Sequence, residues 1–76
     1  MTKLVEAIAK SLVDNPDGVI VTETEGEQGT VIHLRVAPED MGKVIGRQGR
    51  IAKEIRTIVK TVAQRSGERV TVDIVD

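Results

Sequence analysis

The sequence contains no phenylalanine, tyrosine or tryptophan and no cysteine. Without aromatic rings it offers no side chain on which a nucleic-acid base can stack and no cage for an organic cation. Without cysteine, a disulfide framework and a zinc site built from thiolates are both excluded. No apolar run approaches the roughly 18 to 20 residues that a membrane span requires, so we expect an unprocessed, cytoplasmic protein.

The length of 76 residues suits one compact domain and leaves no room for a second. We therefore expect residues 1–76 to form a single domain with an efficient core. The net charge of −1 argues against a strongly basic protein until the charges are placed along the chain. Residues 43–69 carry eight basic side chains and only two acidic ones, so this segment is predicted to form an anion-attracting face.

Apolar periodicity predicts the element order α-β-β-α-α-β. Pro16 and Gly18 end the first helix, and Gly26 to Gly29 join two β-branched runs into a hairpin. The predicted elements are a helix to about Asp14, strands over 19–24 and 30–36, a short helix from Pro38 to about Ile45, a longer helix ending at Ser66-Gly67, and a strand over 70–74. The helix pair allows a right-handed parallel crossover, so we predict an α+β fold with a mixed three-stranded sheet and three helices on one face.

The segment Ile45-Gly46-Arg47-Gln48-Gly49 places a Gly-x-x-Gly turn between two predicted helices. Glycine lets a phosphodiester approach the main chain, and the following helix presents free N–H groups that favour anions. A plain turn is the commoner meaning of this motif taken alone. A dinucleotide site or P-loop is disfavoured, because no strand directly precedes the glycines and no Gly-Lys-Ser/Thr follows.

With these residues the sequence resembles the type II KH domain family, and is most similar to the small single-KH RNA-binding proteins of bacteria called the KhpA family. The resemblance covers essentially the whole chain and implies binding of about four single-stranded nucleotides across a groove. It implies an RNA-binding set of Lys43, Val44, Ile45, Gly46, Arg47, Gln48, Gly49, Arg50 and Lys53. Ile45, Val70 and Val72 are then candidates to face bases. The sequence departs from the family pattern at Ala52, where a large aliphatic residue is common, so the resemblance implies a groove but does not fix its depth.

The same resemblance implies partners: single-stranded RNA, a second copy of the chain, or a larger KH-containing RNA-binding protein of the KhpB or Jag family. It also implies a link to cell elongation and division control. RNA chaperoning or post-transcriptional regulation is the expected use. No cofactor or metal is expected, and no paired acid and base or activated nucleophile indicates an enzyme. A protein–protein adaptor with a structural loop stays open as the alternative. For Lys60 and Arg65 a solvated helix surface is the preferred interpretation.

Overall fold

A computed structural model describes residues 1–75, apart from the side chains of Ile45, Arg47 and Gln48. The elements in chain order are α1 (Thr2–Leu12), a 3₁₀ turn (Pro16–Gly18), β1 (Ile20–Gly26), β2 (Gly29–Arg35), α2 (Pro38–Ser66) and β3 (Val70–Val75). The predicted order is confirmed, with the two helices predicted after β2 joined end to end in α2. β1 and β2 each extend to the glycine that borders the hairpin loop.

The three strands form one mixed sheet in the order β1-β2-β3. β1 pairs antiparallel with β2, from Ile20 opposite Arg35 to Gly26 opposite Gly29. β2 pairs in parallel with β3, which requires the chain to cross over the sheet through α2. The sheet therefore has two edges, β1 and β3, and β3 is the edge beside the crossover helix.

Two separate helices are predicted after β2, whereas the structure has one continuous hydrogen-bonded helix, Pro38–Ser66. A straight helix of this length would measure about 43 Å, whereas the longest dimension of the molecule is 34 Å. The helix is therefore bent. Gly49 has φ +66°, a left-handed conformation that reverses the local winding and that other residues adopt only with strain. α2 consists of a first arm, residues 38–48, and a second arm, residues 50–66, so the three predicted helices are present.

The ends of α2 follow from local sequence. Pro38 occupies the first turn, where a missing N–H costs nothing, and Glu39 places a carboxylate at the positive end of the helix. Gly67 ends the helix with φ +73°, and its N–H donates to the carbonyls of Ala63 and Gln64. The second arm thus returns to the hairpin end of the sheet, where β3 begins.

The core lies between the sheet and the two helices. Ile32, Leu34 and Val72 point from β2 and β3 toward the helices and are buried. The helices contribute a matching apolar stripe, of which the most buried members are Val5, Ala9, Val44, Ile55 and Val59. The opposite face of the sheet is open, because no helix of the described structure covers it. Of the residues at its centre, His33 is half-buried and Asp73 is exposed.

A buried carboxylate links the two helices. Asp40 is 1% exposed, and its two oxygens accept the backbone N–H groups of Asp14 and Asn15 at 3.1 and 3.0 Å. Beside it, the Asn15 side chain donates to Glu39 at 3.0 Å, and this hydrogen bond holds the pKa of Glu39 below its usual range. The segment after α1 is therefore fixed to the start of α2.

Candidate nucleic-acid interface

The bend in α2 exposes main chain. An added Cβ at Gly46 or at Gly49 would meet no atom within 4 Å outside the local helix backbone. Gly46 has ordinary helical geometry, so neither packing nor backbone conformation requires a glycine there. Glycine in a helix costs about 0.5–1 kcal/mol relative to alanine. The glycine at position 46 therefore leaves the backbone uncovered at a cost in helix stability.

A cleft of about 470 Å³ opens from this bend and runs between the second arm and β3. We call it the basic cleft, and its lining residues are Gly49, Ala52, Lys53, Arg56, Thr57, Lys60 and Ile74. Lys53, Arg56 and Lys60 are exposed and recur at three- and four-residue spacing, which places them in a row along one side of the helix. Ile74 is half-buried and supplies apolar surface, whereas Ala52 is only 5% exposed. The cleft therefore combines a cationic wall with a small apolar interior.

Two side chains of the cleft are tied to the backbone. Arg56 donates through Nε to the carbonyl of Val72 at 3.4 Å, which links the second arm to β3. Thr57 donates its hydroxyl to the carbonyl of Lys53 at 2.9 Å, so the oxygen remains an acceptor toward the cleft. Among the residues that the structure describes, no carboxylate forms an ion pair with Lys53, Arg56 or Lys60. Their charge is therefore available to an anion.

The structure also shows which face of the third strand borders this cleft. Val70, Val72 and Ile74 alternate toward the helices, whereas Thr71 and Asp73 point to the open face. Val72 is only 5% exposed and packs in the core, so it has almost no surface to offer a base. The residue of β3 that lines the cleft is Ile74, which sequence reasoning did not single out as a base contact.

A second cleft lies on the other side of the bend, between the end of α1 and the first arm. We call it the α1 cleft; its volume is about 550 Å³, and its lining residues are Asp14, Gly42, Lys43, Gly46, Arg50 and Ile51. Lys43 Nζ lies 3.2 Å from an oxygen of Asp14. Gly46 borders the α1 cleft and Gly49 borders the basic cleft, so the bend connects the two.

The predicted site residues thus divide into groups. Lys43 and Arg50 lie in the α1 cleft and Lys53 in the basic cleft. Val44 is 1% exposed, and its side chain packs in the core rather than at the surface. The side chains of Ile45, Arg47 and Gln48 lie outside the described part of the structure, so their predicted contacts stay predictions.

Sequence reasoning missed part of the basic cleft. Arg56 and Lys60 follow Lys53 at helical spacing, and this periodicity is a signal that extends the cationic row along the second arm. Lys60 is exposed, which agrees with the solvated helix surface preferred for it, and it also lines the basic cleft. Thr57 lies in the same row and carries no distinguishing signal of its own.

The described residues offer neither a metal site nor a membrane-spanning helix. They contain no group of three or more histidine, aspartate or glutamate side chains arranged to hold a metal ion. Among them, no helix is long and apolar enough to cross a membrane.

The element order, the parallel pairing of β2 with β3 and the Gly-x-x-Gly bend together define a type II KH domain. The profile of the KhpA/KhpB KH domain matches residues 2–74. The chain therefore belongs to the KhpA/KhpB family of KH domains.

Curated relatives agree with this assignment over nine-tenths or more of their length. A protein of Clostridium acetobutylicum named RNA-binding protein KhpA is 60% identical over 75 residues, which cover 99% of this chain and 100% of the relative. A protein of the same name from Aquifex aeolicus is 53% identical over 96% of this chain and 92% of its own length. The protein of that name from Listeria monocytogenes is 42% identical, and the match covers both chains completely.

Proposed function

We propose that this protein is a non-enzymatic RNA-binding module, a single KH domain that holds single-stranded RNA across the Gly-x-x-Gly bend. The observation that carries the proposal is the basic cleft, which begins at Gly49. Three cations line it beside an apolar interior, and none of them forms an ion pair with a carboxylate among the described residues. Phosphates would lie against the cations and the bare backbone, and bases against Ile74. The names of the curated relatives support the same ligand.

The composition of the cleft predicts how it binds. With no aromatic side chain in the sequence, no base stacks on a ring, and each such stacking contact contributes about 1–3 kcal/mol in other proteins. The backbone contacts carry no sequence information. We therefore expect modest affinity and weak sequence preference over about four nucleotides, as suits an RNA chaperone or a post-transcriptional regulator in the cytoplasm.

A partner would compensate for this weak site. A second RNA-binding module on the same complex raises avidity through effective concentration without any new contact. We propose that the partner is either a second copy of this chain or a larger KH-containing protein of the KhpB or Jag family. The profile that matches this chain describes both KhpA and KhpB domains.

Charge reversal in the basic cleft tests the proposal. We expect Lys53→Glu with Lys60→Glu to weaken binding of a short single-stranded RNA by at least about tenfold, since each contact to a charged group contributes about 1.5–3 kcal/mol. Fluorescence anisotropy at low salt measures the dissociation constant. Both lysines are exposed, so circular dichroism should show an unchanged fold.

The matched control is Lys3→Glu with Arg35→Glu, which changes the net charge equally. Both residues are exposed, and neither lines the basic cleft. We expect this control to lose much less affinity than the cleft variant. Equal losses in the two double variants would mean that net charge alone governs binding, and the cleft would no longer be the site.

A protein–protein adaptor is the second candidate, and one observation favours it. Ile58 and Val62 are 40% and 38% exposed, and they lie on the flank of the second arm opposite the cationic row. Exposed aliphatic residues on one helix flank are a feature of association surfaces. The same RNA titration separates the candidates, because an adaptor whose loop is only structural shows no RNA affinity to lose.

A further inference from the structure

The α1 cleft contains a carboxylate that the RNA-binding site does not need. Asp14 lines this cleft together with Lys43 and Arg50, the two cations that lie beside Gly46. One oxygen of Asp14 is 3.2 Å from Lys43 Nζ. A polyanion that enters the cleft therefore meets a negative charge and finds one of the two cations already paired.

The position of Asp14 is fixed by its backbone. Its N–H donates to the buried Asp40 at 3.1 Å, and the N–H of the next residue, Asn15, donates to the other oxygen of Asp40. The carboxylate itself takes no part in this clamp and has a side-chain exposure of 81%. The clamp holds the residue at the rim of the cleft, while its charged group stays exposed and pairs with Lys43.

The fold does not require this carboxylate. Lys43 is 46% exposed in its side chain, and an ion pair between two such solvated groups contributes little to stability. The residue can therefore lose its charge without loss of structure. An acidic residue next to the path of a nucleic acid repels phosphate and so lowers the affinity for RNA.

We propose that Asp14 sets the RNA affinity of this protein by holding Lys43 and by repelling phosphate at the α1 cleft. This inference rests on the proposed function and adds to it a residue just after α1, outside the Gly-x-x-Gly segment. In the free protein Lys43 is paired with Asp14, and RNA must displace the carboxylate before Lys43 reaches a phosphate. The protein then binds RNA more weakly and exchanges it more readily than its cations would otherwise allow.

The test is Asp14→Asn, compared with the wild type in binding a short single-stranded RNA of random sequence. We expect the variant to bind about threefold to tenfold more tightly at low salt, since one unit charge is removed within a few ångströms of the phosphate path. We also expect a steeper dependence of log Kd on log salt, by about 0.7, because Lys43 is released to neutralise one more phosphate. In a Lys43→Gln background the gain from Asp14→Asn should be smaller, since only the repulsion remains to be removed.

Asp17→Asn is the matched control, because Asp17 is exposed in the adjacent 3₁₀ turn and does not line the cleft. It removes the same charge and should leave the salt slope unchanged and the affinity nearly so. If both variants gain equally, or if Asp14→Asn gains nothing while the wild type binds RNA, Asp14 has no special role and this inference fails alone. If neither the wild type nor either variant binds, the proposed function fails and this inference falls with it.

Discussion

At the residue scale, a substitution at Gly46 should change protein stability and RNA affinity in opposite directions. Its geometry is helical, and among the described residues an added Cβ meets no atom within 4 Å beyond its chain neighbours and the local helix backbone. We expect Gly46→Ala to raise the stability by about 0.5–1 kcal/mol, because alanine loses less conformational entropy in a helix. The same methyl group would hold phosphate off the backbone, and we expect RNA affinity to fall at least about tenfold, the equivalent of 1.4 kcal/mol. Thermal unfolding and RNA titration of the same sample measure the two effects.

Thr61→Ala provides the comparison for Gly46→Ala. Thr61 is exposed on the second arm and does not line the basic cleft. Replacing a β-branched residue by alanine also favours the helix, so this variant should be more stable while binding RNA as the wild type does. A Gly46→Ala protein that is more stable and binds RNA normally would show that phosphate does not approach the backbone at this position.

At the scale of elements, Asp40 joins the end of α1 to the start of α2. Asparagine at this position keeps one acceptor oxygen and turns an amide N–H₂ toward a backbone N–H. We expect Asp40→Asn to lower the free energy of unfolding by about 1–3 kcal/mol, the cost of an unsatisfied buried donor. For a domain of this size, each kcal/mol corresponds to a shift in Tm of about 4–8 °C. The control is Glu39→Gln, which removes the same charge from an exposed neighbour and should shift Tm far less. Equal shifts in Tm for the two variants would mean that the hydrogen bonds of Asp40 to Asp14 and Asn15 contribute no specific stability.

The elements also show what the sequence could predict and what it could not. Apolar periodicity places Ile55 and Val59 on the buried stripe of the second arm, and the two loop glycines locate the bend. Periodicity does not say which flank of that arm meets β3, because the flank with Lys53 and the flank with Ile58 are equally compatible with the buried stripe. Only tertiary packing decides which flank faces β3, and for this reason the sequence does not predict that Ile74 lines the cleft beside Lys53. The partners of Asp40 lie 25 and 26 residues away in sequence, and no local pattern indicates that contact.

At the scale of the whole molecule, the distribution of charge matters more than its sum. The net charge is −1, so a uniformly charged protein of this kind would repel RNA. The two clefts instead bring together five of the cations of residues 43–69, namely Lys43, Arg50, Lys53, Arg56 and Lys60, with Asp14 as the acidic residue in their described lining. Binding should therefore depend on local phosphate contacts despite the unfavourable total charge.

Salt dependence tests this arrangement. Lys53, Arg56 and Lys60 line the basic cleft, and neutralising about three phosphates of a single strand gives a slope of log K against log salt near −2. We expect the wild-type slope, measured by anisotropy over a range of ionic strength, to be at least this steep, because Arg50 of the α1 cleft adds to it. We expect Lys53→Glu with Lys60→Glu to make the slope shallower by about 1.4, since two cations of the basic cleft are removed. A flat line for the wild type would mean that cations do not hold the RNA. In that case the exposed Ile58 and Val62 would identify the surface that matters, and the adaptor would become the better description of the protein.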